Sequence, residues 1–381
     1  MTTPRYVFFK GDFVPYEEAK VSVVAHGLNY GTGCFEGIRG YWNAEDEELY
    51  ILKMAPHFER IHQSARILYM DLQYSVEELT KIAIELVKRN EFKEDVYIRP
   101  LLFTGDEKIG VRLHGVSTEF TMFAVPMGNY IDTTGIKAGV SSWRRVDDNA
   151  VPARAKITGA YINSALAKTE AYHNGYDEAI FLNADGHVSE GSAANMFLVR
   201  NGHLVTPGVQ HNILEGITRH TIMQIAKEEL GLNTDERSID RTELYIADEM
   251  FFCGTGVQIS PVISVDMRPV GTGAIGPVTK QIMDIYSRAV RGQHPVAEGL
   301  RHRGQTRSPA HRSNSVGEIV QEGSCHGVIP PASDFLAGPR SVCSIEAGRI
   351  SGAPIPDLPF RRPTLVPPAL FVDHRRPRSA A

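Results

Sequence analysis

Lys156 is the residue of this chain best suited to covalent chemistry. It lies in the segment ARAKITGAY, between Ala155 and Ile157 and just before a predicted helix. A lysine partly removed from water can act as a nucleophile, and its amine forms Schiff bases with carbonyl compounds. From the local sequence alone the alternative is a loop lysine, whose alkyl stem lies on apolar surface while its ammonium group stays in water.

Tyr97 and Arg99 occupy positions i and i+2 of the strand-like segment VYIRPLLF. A β-strand projects such residues to the same face. An arginine in an apolar strand needs an anionic or polar partner. Two interpretations of Arg99 therefore stay open, a buried structural ion pair and a clamp for the carboxylate of a ligand.

Three short segments could each bind an anion. GIT at 216–218 opens a predicted helix, where free N–H groups and the helix dipole favour phosphate. CGTG at 253–256 follows a strand-like run and adds the Thr255 hydroxyl, and SEGSAAN at 189–195 contains Glu190. Each segment alone is more often a plain turn or helix cap, and the spacing does not show that the three converge.

The glycine-rich segment GTGCFEG, at 31–37, is interpreted as a turn with close backbone packing. Its spacing is one residue too long for a dinucleotide-binding fingerprint, and no βαβ pattern surrounds it. The sequence contains no H-E-x-x-H, Walker or G-x-S-x-G motif. None of its four cysteines form a C-x-x-C pair, which argues against a metal site and favours free thiols in a reducing cytoplasm.

The charge balance argues against a general nucleic-acid-binding protein. Lys and Arg total 40 and Asp and Glu total 45, for a formal charge of −5, whereas phosphate-backbone binding needs a basic surface. No apolar run approaches the roughly 18 residues of a membrane span. The first residues lack an apolar core, so we expect no signal peptide and a cytoplasmic protein.

Turn residues and apolar periodicity predict the strands that must place these side chains. Strands are expected in YVFFKGDFVPY around a turn at 10–12, in VYIRPLLF and in EFTMFAVPM. Two further hairpins turn at 185–186 and at 201–202, where Asp-Gly and Asn-Gly occur. Strands and helices alternate without a strict βαβ order, which favours α+β layers over a doubly wound sheet.

Five helices are predicted. One begins at about Pro56, and a second follows a capping box formed by Ser75 and Glu78. The others are expected at YINSALAKTEAYHNG, at ITRHTIMQIAKEELG and at GPVTKQIMDIYSRAVRG. The last has Pro277 at its start and Gly292 just past its end, the usual asymmetry of helix termini.

Composition divides the chain into four parts. We expect an N-terminal domain at 1–125, a linker at 126–137, a larger domain at 138–295 and a tail at 296–381. The tail contains 11 of the 22 prolines and 11 arginines without periodicity, which predicts disorder. A Pro/Arg-rich docking segment and a sequence read from a shifted frame are the alternatives.

Nine segments, in this order, resemble those of branched-chain amino-acid aminotransferases. They are HGLNYGTGCFEGIRGY, FERIHQSARIL, VYIRPLLF, SSWRR, ARAKITGAYINSALAKTEA, GYDEAIFLNADGHVSEGSAANMFLV, LEGITRH, LYIADEMFFCGTG and GPVTKQIMDIY. The resemblance covers roughly residues 5–295 and implies a fold type IV enzyme that uses pyridoxal 5'-phosphate. It implies a small N-terminal α/β domain, a larger C-terminal pseudo-barrel α/β domain, and at least a homodimer in which a neighbouring subunit completes the pocket.

The resemblance also implies roles for individual residues. Lys156 matches the Schiff-base lysine, which also moves the Cα proton of the substrate, and Glu190 matches the carboxylate that faces the pyridine nitrogen. The remaining cofactor positions are Arg60, Tyr161, Ile217, Thr218 and Thr255, and the substrate positions are Tyr30, Phe35, Tyr97, Arg99, Gly256 and Val257.

The implied reaction is ping-pong transamination between L-leucine, L-isoleucine or L-valine and 2-oxoglutarate. Another enzyme of the same fold, acting on D-amino acids or on aminodeoxychorismate, and an inactive binding protein are the alternatives. Two pairs depart from the family pattern. Ala193-Ala194 stands where Gly-Glu is common, and Gly256-Val257 stands where Ala-Ala is common. Both pairs bear on affinity and substrate range more than on the type of reaction.

Overall fold

The computed structural model describes residues 3–128 and 134–294 and the backbone of 301–304. Strands with alternating apolar residues form its first sheet. All of its strand pairs are antiparallel, in the order β5-β4-β6-β7-β1-β2, with β3 beside β6. Its strands are β1 Tyr6–Phe9, β2 Asp12–Pro15, β3 Gly33–Phe35, β4 Ile38–Asn43, β5 Glu48–Leu52, β6 Val96–Thr104 and β7 Thr118–Pro126.

Three helices accompany this sheet, α1 (His26–Tyr30), α2 (Met54–Ile67) and α3 (Val76–Asn90). The side chains of α2 and α3 that repeat at helical spacing pack on the buried face of β6 and β7 and form one core. The predicted capping box is present, because the Ser75 hydroxyl accepts from the N–H of Glu78 and the Glu78 carboxylate accepts from the N–H of Ser75.

The second sheet is mixed, in the order β10-β9-β8-β15-β14-β11-β12-β13, with β16 beside β15. The pairs β8/β9, β8/β15 and β12/β13 are parallel. Its strands are β8 Ile136–Arg144, β9 Glu178–Leu182, β10 Val188–Gly191, β11 Asn195–Arg200, β12 His203–Pro207, β13 Thr234–Arg237, β14 Glu249–Gly254, β15 Gln258–Val265 and β16 Arg268–Pro269.

Both predicted hairpins of this sheet are present. Asn201 and Gly202 join β11 to β12 with positive φ angles of 52° and 78°, the conformation that an Asn-Gly turn adopts easily. The other hairpin joins β9 to β10, and Gly186 in its turn also has a positive φ. An antiparallel sheet and a mixed sheet, each packed against helices, confirm the α+β layers that the sequence predicts.

Three helices pack against the second sheet, α4 (Tyr161–His173), α5 (Ile217–Leu230) and α6 (Pro277–Val290). Helices α5 and α6 share a core with the faces of β11 and β14. The buried carboxylate of Glu249 caps α6, since it accepts hydrogen bonds from the N–H groups of Val278 and Thr279 and from the Thr279 hydroxyl.

At one short stretch the structure differs from the predicted tail. Residues Arg301–Gly304 form strand β17, which pairs antiparallel with β5 at the edge of the first sheet. β5 is an outer strand, and its unpaired backbone groups can form hydrogen bonds with another strand. The amino-acid composition of the tail does not predict such pairing. The other tail residues, 295–300 and 305–381, lie outside the described residues, as do residues 129–133 of the predicted linker.

The predicted linker at 126–137 overlaps the end of β7 and the start of β8. Both sheets belong to one unit of the chain, Met1–Arg312, so the division at 126–137 stays a prediction. Within the described residues, the helices are too short or too polar to cross a membrane.

Candidate active site

The segment that carries Lys156 is held by the N-terminal sheet and by α2. The N–H of Phe35 donates to the carbonyl of Lys156 over 3.0 Å, and the N–H of Lys156 donates to the Ser64 hydroxyl over 3.2 Å. Ile157 forms an isolated β-bridge with Cys34. These contacts therefore fix the backbone on both sides of Lys156, and with it the position from which the side chain extends.

Glycines allow the two backbones to approach. Gly31 adopts φ 65°, and its carbonyl accepts from the N–H of Gly159 at 3.0 Å and from the Thr158 hydroxyl at 2.7 Å. A Cβ on Gly31 would lie 2.9 Å from the Cα of Gly159, closer than such atoms approach. The segment GTGCFEG is thus a close-packed turn, as predicted, and it supports the loop of Lys156.

The Lys156 side chain is half-buried beside two aromatic rings. Its Nζ donates to the Tyr161 hydroxyl over 2.8 Å and lies 5.1 Å from the ring centroid of Phe35. Tyr161 is the first residue of α4, and its ring centroid lies 5.0 Å from that of Phe35. The structure therefore brings three of the predicted site residues into contact.

Tyr97 and Arg99 extend this group along β6. Arg99 Nη2 donates to the Tyr97 hydroxyl over 3.0 Å, and Arg99 Cζ lies 4.3 Å from the ring centroid of Phe35. Among the described residues Arg99 pairs with no carboxylate, and its buried Nε has no acceptor. The ion-pair interpretation therefore finds no partner here, and the guanidinium is available for the carboxylate of a ligand.

Glu190, on β10, is buried and contacts three different donors. Arg145 Nη2 lies 2.7 Å from its Oε1, while the Asn195 amide and the N–H of Leu214 donate to its Oε2 over 2.9 and 3.2 Å. Burial raises the pKa of the Glu190 carboxyl, and the charges of Arg145 and Lys156 oppose this rise. The charge of Lys156 therefore acts on Glu190, so the two groups lie in the same region of the molecule.

Arg60, on α2, is part of a buried ionic cluster with Glu36 and His57. Its Nε and Nη2 donate to the two oxygens of Glu36 over 2.7 and 2.8 Å, and His57 Nδ1 lies 2.7 Å from Oε2. Burial alone would raise the pKa of Glu36, but Arg60 and His57 hold it far below its usual range. The remaining nitrogen, Nη1, donates to the carbonyl of Glu215 over 2.8 Å.

The N-terminus of α5 lies between these two carboxylates. Gly216 is its N-cap, and the first N–H groups, from Ile217 and Thr218, have no acceptor within the helix. Arg60 reaches the carbonyl next to Gly216, and a Cβ on Gly216 would overlap the amide of Asn195. The helix terminus therefore opens between the arginine and the Glu190 cluster, and it is suited to bind an anion.

The turn between β14 and β15, which contains Thr255, completes this region. A Cβ on Gly254 would lie 3.7 Å from the carbonyl of Ala193 and 3.8 Å from the Cα of Ala194. Cys253 also pairs with Asn195 across β14 and β11. The three candidate anion-binding segments are therefore neighbours, and the two pairs that depart from the family pattern lie on adjacent loops.

Tyr30 is the predicted site residue that stands apart. Its hydroxyl accepts from the N–H of Gly110 over 3.0 Å, and its ring centroid lies 4.7 Å from that of His26. Among the described residues its contacts connect α1 with the loop around residue 110, and none of these contacts joins it to the group around Lys156.

Sequence analysis missed four side chains of the site, Glu36, His57, Arg145 and Asn195. Glu36 offered a signal, because it is a charged residue within a short apolar strand segment, as Arg99 is. His57 stands three residues before Arg60, on the same helical face. Both lay within segments that carried the family resemblance without being assigned a role.

Comparison with known proteins identifies the family. Residues 33–265 match the family model of the class IV amino-transferases. A probable branched-chain-amino-acid aminotransferase of Aquifex aeolicus is 50% identical over 289 residues, which cover 76% of this chain and 93% of that protein. The crystal structure of the branched-chain aminotransferase of Thermoproteus uzoniensis with norvaline superposes with a TM-score of 0.76 at 44% identity, covering 79% of this chain and 99% of that one.

A third similar protein is the branched-chain amino acid aminotransferase of Thermobaculum terrenum, solved in its PLP-form. It superposes with a TM-score of 0.77 at 38% identity and covers 80% of this chain and 99% of that one. Two further crystal structures of a branched-chain amino acid aminotransferase, 40% and 39% identical to this chain, contain N-(5'-phosphopyridoxyl)-L-glutamate and 4-methylvaleric acid, respectively. These matches extend over both sheets and nearly the whole length of each relative. The chain therefore belongs to the branched-chain-amino-acid aminotransferases, enzymes of the class IV, fold type IV family.

Proposed function

We propose that this chain binds pyridoxal 5'-phosphate through Lys156 and transfers amino groups between branched-chain L-amino acids and 2-oxoglutarate. The observation that carries the proposal is the common region shared by the Lys156 amine, the buried Glu190 carboxylate and the open N-terminus of α5. A phosphorylated aldehyde with a ring nitrogen needs these three features. Relatives solved with a phosphopyridoxyl-glutamate adduct and with norvaline support the same chemistry.

The residues fit the cofactor at each of its polar groups. The unpaired N–H groups of Ile217 and Thr218, the Thr255 hydroxyl and the Arg60 guanidinium would hold the phosphate. The Tyr161 hydroxyl stands beside the reactive amine. When bound, pyridoxal phosphate supplies a ring that accepts the electron pair released at the substrate Cα.

Proton transfer is the task of the chain's own residues. Glu190 keeps a proton on the ring nitrogen, because an ionised carboxylate in this buried place is stabilised by a protonated partner. Lys156 Nζ would take the proton from the substrate Cα and would deliver it to the C4′ carbon of the bound cofactor. Tyr161 orients that amine through their hydrogen bond.

An aromatic and aliphatic surface would bind the substrate. Arg99, without a carboxylate partner among the described residues, would bind the second carboxylate of glutamate or 2-oxoglutarate. One methylene changes binding by only about 1–3 kcal/mol, so we expect leucine, isoleucine and valine all to react. The side chains and backbone of this surface come from Tyr30, Phe35, Tyr97, Arg99, Gly256 and Val257.

A second copy of the chain would complete the site. The segment that leads to Tyr30 exposes large apolar side chains, among them Val23 and Leu28, and the loop that Tyr30 contacts at Gly110 exposes Ile109 and Val111. Exposed apolar side chains grouped on such segments are typical of a contact with another protein. A homodimer would cover this surface and place Tyr30 near the neighbouring subunit's pocket. A cytoplasmic location and the domain boundary at 126–137 stay predictions from the sequence.

The absorbance spectrum of the purified protein tests the proposal. We expect a yellow protein whose visible band shifts on adding L-leucine and returns on adding 2-oxoglutarate. Lys156→Ala should abolish both the shift and turnover, with a loss of at least about 10³-fold. Lys10→Ala, at a surface ion pair with Glu119, is the matched control and should leave both unchanged.

Three results would contradict the proposal. Turnover retained by Lys156→Ala would exclude the role of that lysine. Reaction with D-alanine in preference to L-leucine would indicate the D-amino-acid branch of the fold. A colourless protein that takes up no pyridoxal phosphate would indicate a binding protein without catalytic activity.

A further inference from the structure

Tyr41, on β4, and Tyr286, on α6, place two phenol groups inside a core of mostly apolar side chains. They are 0% and 2% exposed, and their hydroxyl oxygens lie 3.4 Å apart. A buried hydroxyl costs free energy unless it is hydrogen-bonded, and phenylalanine would fill the same space without that cost. The two hydroxyls therefore need a reason that packing alone does not give.

Tyr286 also contacts the candidate anion site. Thr218, the second residue of α5, is buried, and its side chain forms a hydrogen bond with the Tyr286 phenol. Burial raises the pKa of Tyr286 well above its ordinary value, so the phenol keeps its proton at neutral pH. A protonated phenol can donate one hydrogen bond and also accept. The Tyr286 hydroxyl thus lies between the hydroxyls of Tyr41 and Thr218.

Two cations lie at the other end of this row of hydroxyls. The guanidinium carbons of Arg39 and Arg291 are 5.6 and 5.3 Å from the centroid of the Tyr41 ring. Burial raises the pKa of the Tyr41 phenol, and the charges of these two arginines oppose the rise. A nearby cation makes a phenol O–H a stronger donor. Tyr41 is therefore the better donor of the tyrosine pair, and Tyr286 is its acceptor.

The direction of the hydrogen bonds follows from the number of protons, because each hydroxyl has one hydrogen to donate. An anion at the N-terminus of α5 accepts from the Thr218 hydroxyl, and the Thr218 oxygen then accepts from Tyr286. The Tyr286 oxygen in turn accepts from Tyr41. Hydrogen bonds that point the same way strengthen one another. The two phenols therefore favour the orientation in which Thr218 donates to the anion.

We propose that Tyr286 is a positioning residue for the phosphate of the cofactor, which together with Tyr41 holds the Thr218 hydroxyl in its donor orientation. This inference rests on the proposed function, because it takes the anion at α5 to be the phosphate of pyridoxal 5'-phosphate. Tyr286 acts through Thr218, so its effect on cofactor binding must depend on the Thr218 hydroxyl.

Three variants remove one hydroxyl each and keep the ring. Tyr286→Phe and Tyr41→Phe interrupt the row at its middle and at its far end. Tyr50→Phe is the matched control, because Tyr50 is buried and lies directly opposite Tyr41 in the β4/β5 register, but its hydroxyl donates to Asp46. The melting temperature of each variant is recorded as a measure of folding.

The decisive measurement compares the Kd of pyridoxal 5'-phosphate with the Kd of pyridoxal for the full-length, cofactor-free protein. Both compounds carry the aldehyde that reacts with Lys156, and only the first carries a phosphate. We expect Tyr286→Phe to raise the Kd of pyridoxal 5'-phosphate about fivefold, the effect of one hydrogen bond, and to leave the Kd of pyridoxal unchanged. Tyr41→Phe should raise the first Kd about threefold, and Tyr50→Phe should match the wild type.

A double-mutant cycle with Thr218→Val separates this role from a general effect on packing. Valine has the shape of threonine without its hydroxyl. In the Thr218→Val background, Tyr286→Phe should change the Kd of pyridoxal 5'-phosphate by less than about twofold, because the hydroxyl that Tyr286 orients is gone. A fivefold effect that persists in this background would overturn the inference, since Tyr286 would then act independently of Thr218.

Equal ratios of the two Kd values in wild type and in folded Tyr286→Phe would also overturn the inference. If Tyr286→Phe does not fold, Tyr41→Phe answers instead, and a ratio equal to that of the wild type overturns the inference. A wild-type protein that binds neither pyridoxal 5'-phosphate nor pyridoxal would overturn the proposed function as well, so the two failures are distinguishable.

Discussion

Two buried carboxylates, one in each sheet, have opposite environments. Glu36, between β3 and β4, faces Arg60 and His57, and both of its oxygens accept from Arg60. Glu190, on β10, faces a single arginine, an amide and one backbone N–H. The pKa of Glu36 is lowered and that of Glu190 is raised. Equal burial thus leaves Glu36 a permanent anion where an arginine bonds both carboxylate oxygens, and makes Glu190 a proton-sharing group where one arginine, one amide and one N–H are the donors.

Replacing the permanent anion should have the largest effect. Glu36→Gln leaves Arg60 as a buried cation without its counter-charge, and breaking a buried ion pair costs about 3–5 kcal/mol. Unfolding in urea should therefore shift to lower concentrations, and pyridoxal phosphate uptake should weaken because Arg60 loses its orientation. A loss below about 1 kcal/mol would show that the two carboxylates do not differ in the way their contacts indicate.

Replacing the proton-sharing carboxylate should impair turnover instead of folding. Glu190→Gln should lower kcat by about 10²–10³-fold, because the electrostatic support of the ring nitrogen is removed. The free energy of unfolding should change by about 1 kcal/mol or less, since Arg145 keeps its hydrogen bond to the carbonyl of Asn212. Steady-state kinetics and urea unfolding of the same preparation measure both quantities. Equal kcat values for variant and wild type would contradict the proposed difference between Glu36 and Glu190.

The pH dependence of stability should have opposite signs at the two sites. The folded-state pKa of Glu36 lies below its unfolded value of about 4.3, so its stabilisation is present above that pH and is lost as pH falls. The folded-state pKa of Glu190 lies above about 4.3, so its stabilisation is present below that pH and is lost as pH rises through the raised pKa.

Urea unfolding of the cofactor-free protein across the acidic to neutral range measures this difference. The stability advantage of wild type over Glu36→Gln should shrink as the pH is lowered, whereas the stability of Glu190→Gln relative to wild type should improve as the pH is raised. Parallel profiles for the two variants would contradict the assigned directions.

The smallest effect is expected at the surface. Ser75→Ala removes the exposed cap of α3 and should cost about 1 kcal/mol, with turnover unchanged. This variant is the reference for Glu36→Gln and Glu190→Gln, because it shows how a modest loss of stability far from the site affects the kinetics. Reduced turnover in Ser75→Ala would mean that stability and activity are not separable in this protein.

Local signals predict the elements of this fold well. The cap at Ser75, the turn at Asn201-Gly202 and the start of α6 at Pro277 each depend on a few neighbouring residues, and each is found where expected. The first predicted helix begins at Met54, two residues before the expected Pro56, since proline is also tolerated within the first turn. Strand β17 was missed, because its only support is the distant edge of β5.

The candidate site is harder to predict from the sequence than the fold. Lys156 was indistinguishable from a loop lysine until the family resemblance was considered, and Arg99 had two open interpretations. Glu36 and Arg60 are 24 residues apart, and Tyr41 and Tyr286 are 245 apart. Such contacts follow from the packing of whole elements, which spacing along the chain does not encode. The resemblance suggested which residues matter, and the structure showed which partners fix them.

The contact between Gly31 and Gly159 has a consequence for mutational tolerance. Neither residue has a side chain that could take part in chemistry, yet a methyl group on Gly31 would push apart the two backbones that position the Lys156 amine. In a saturation mutagenesis screen for growth without leucine, isoleucine and valine, we expect alanine to be depleted at position 31. Laboratory evolution toward new substrates would therefore have to conserve a residue that contributes only its small size and its positive φ.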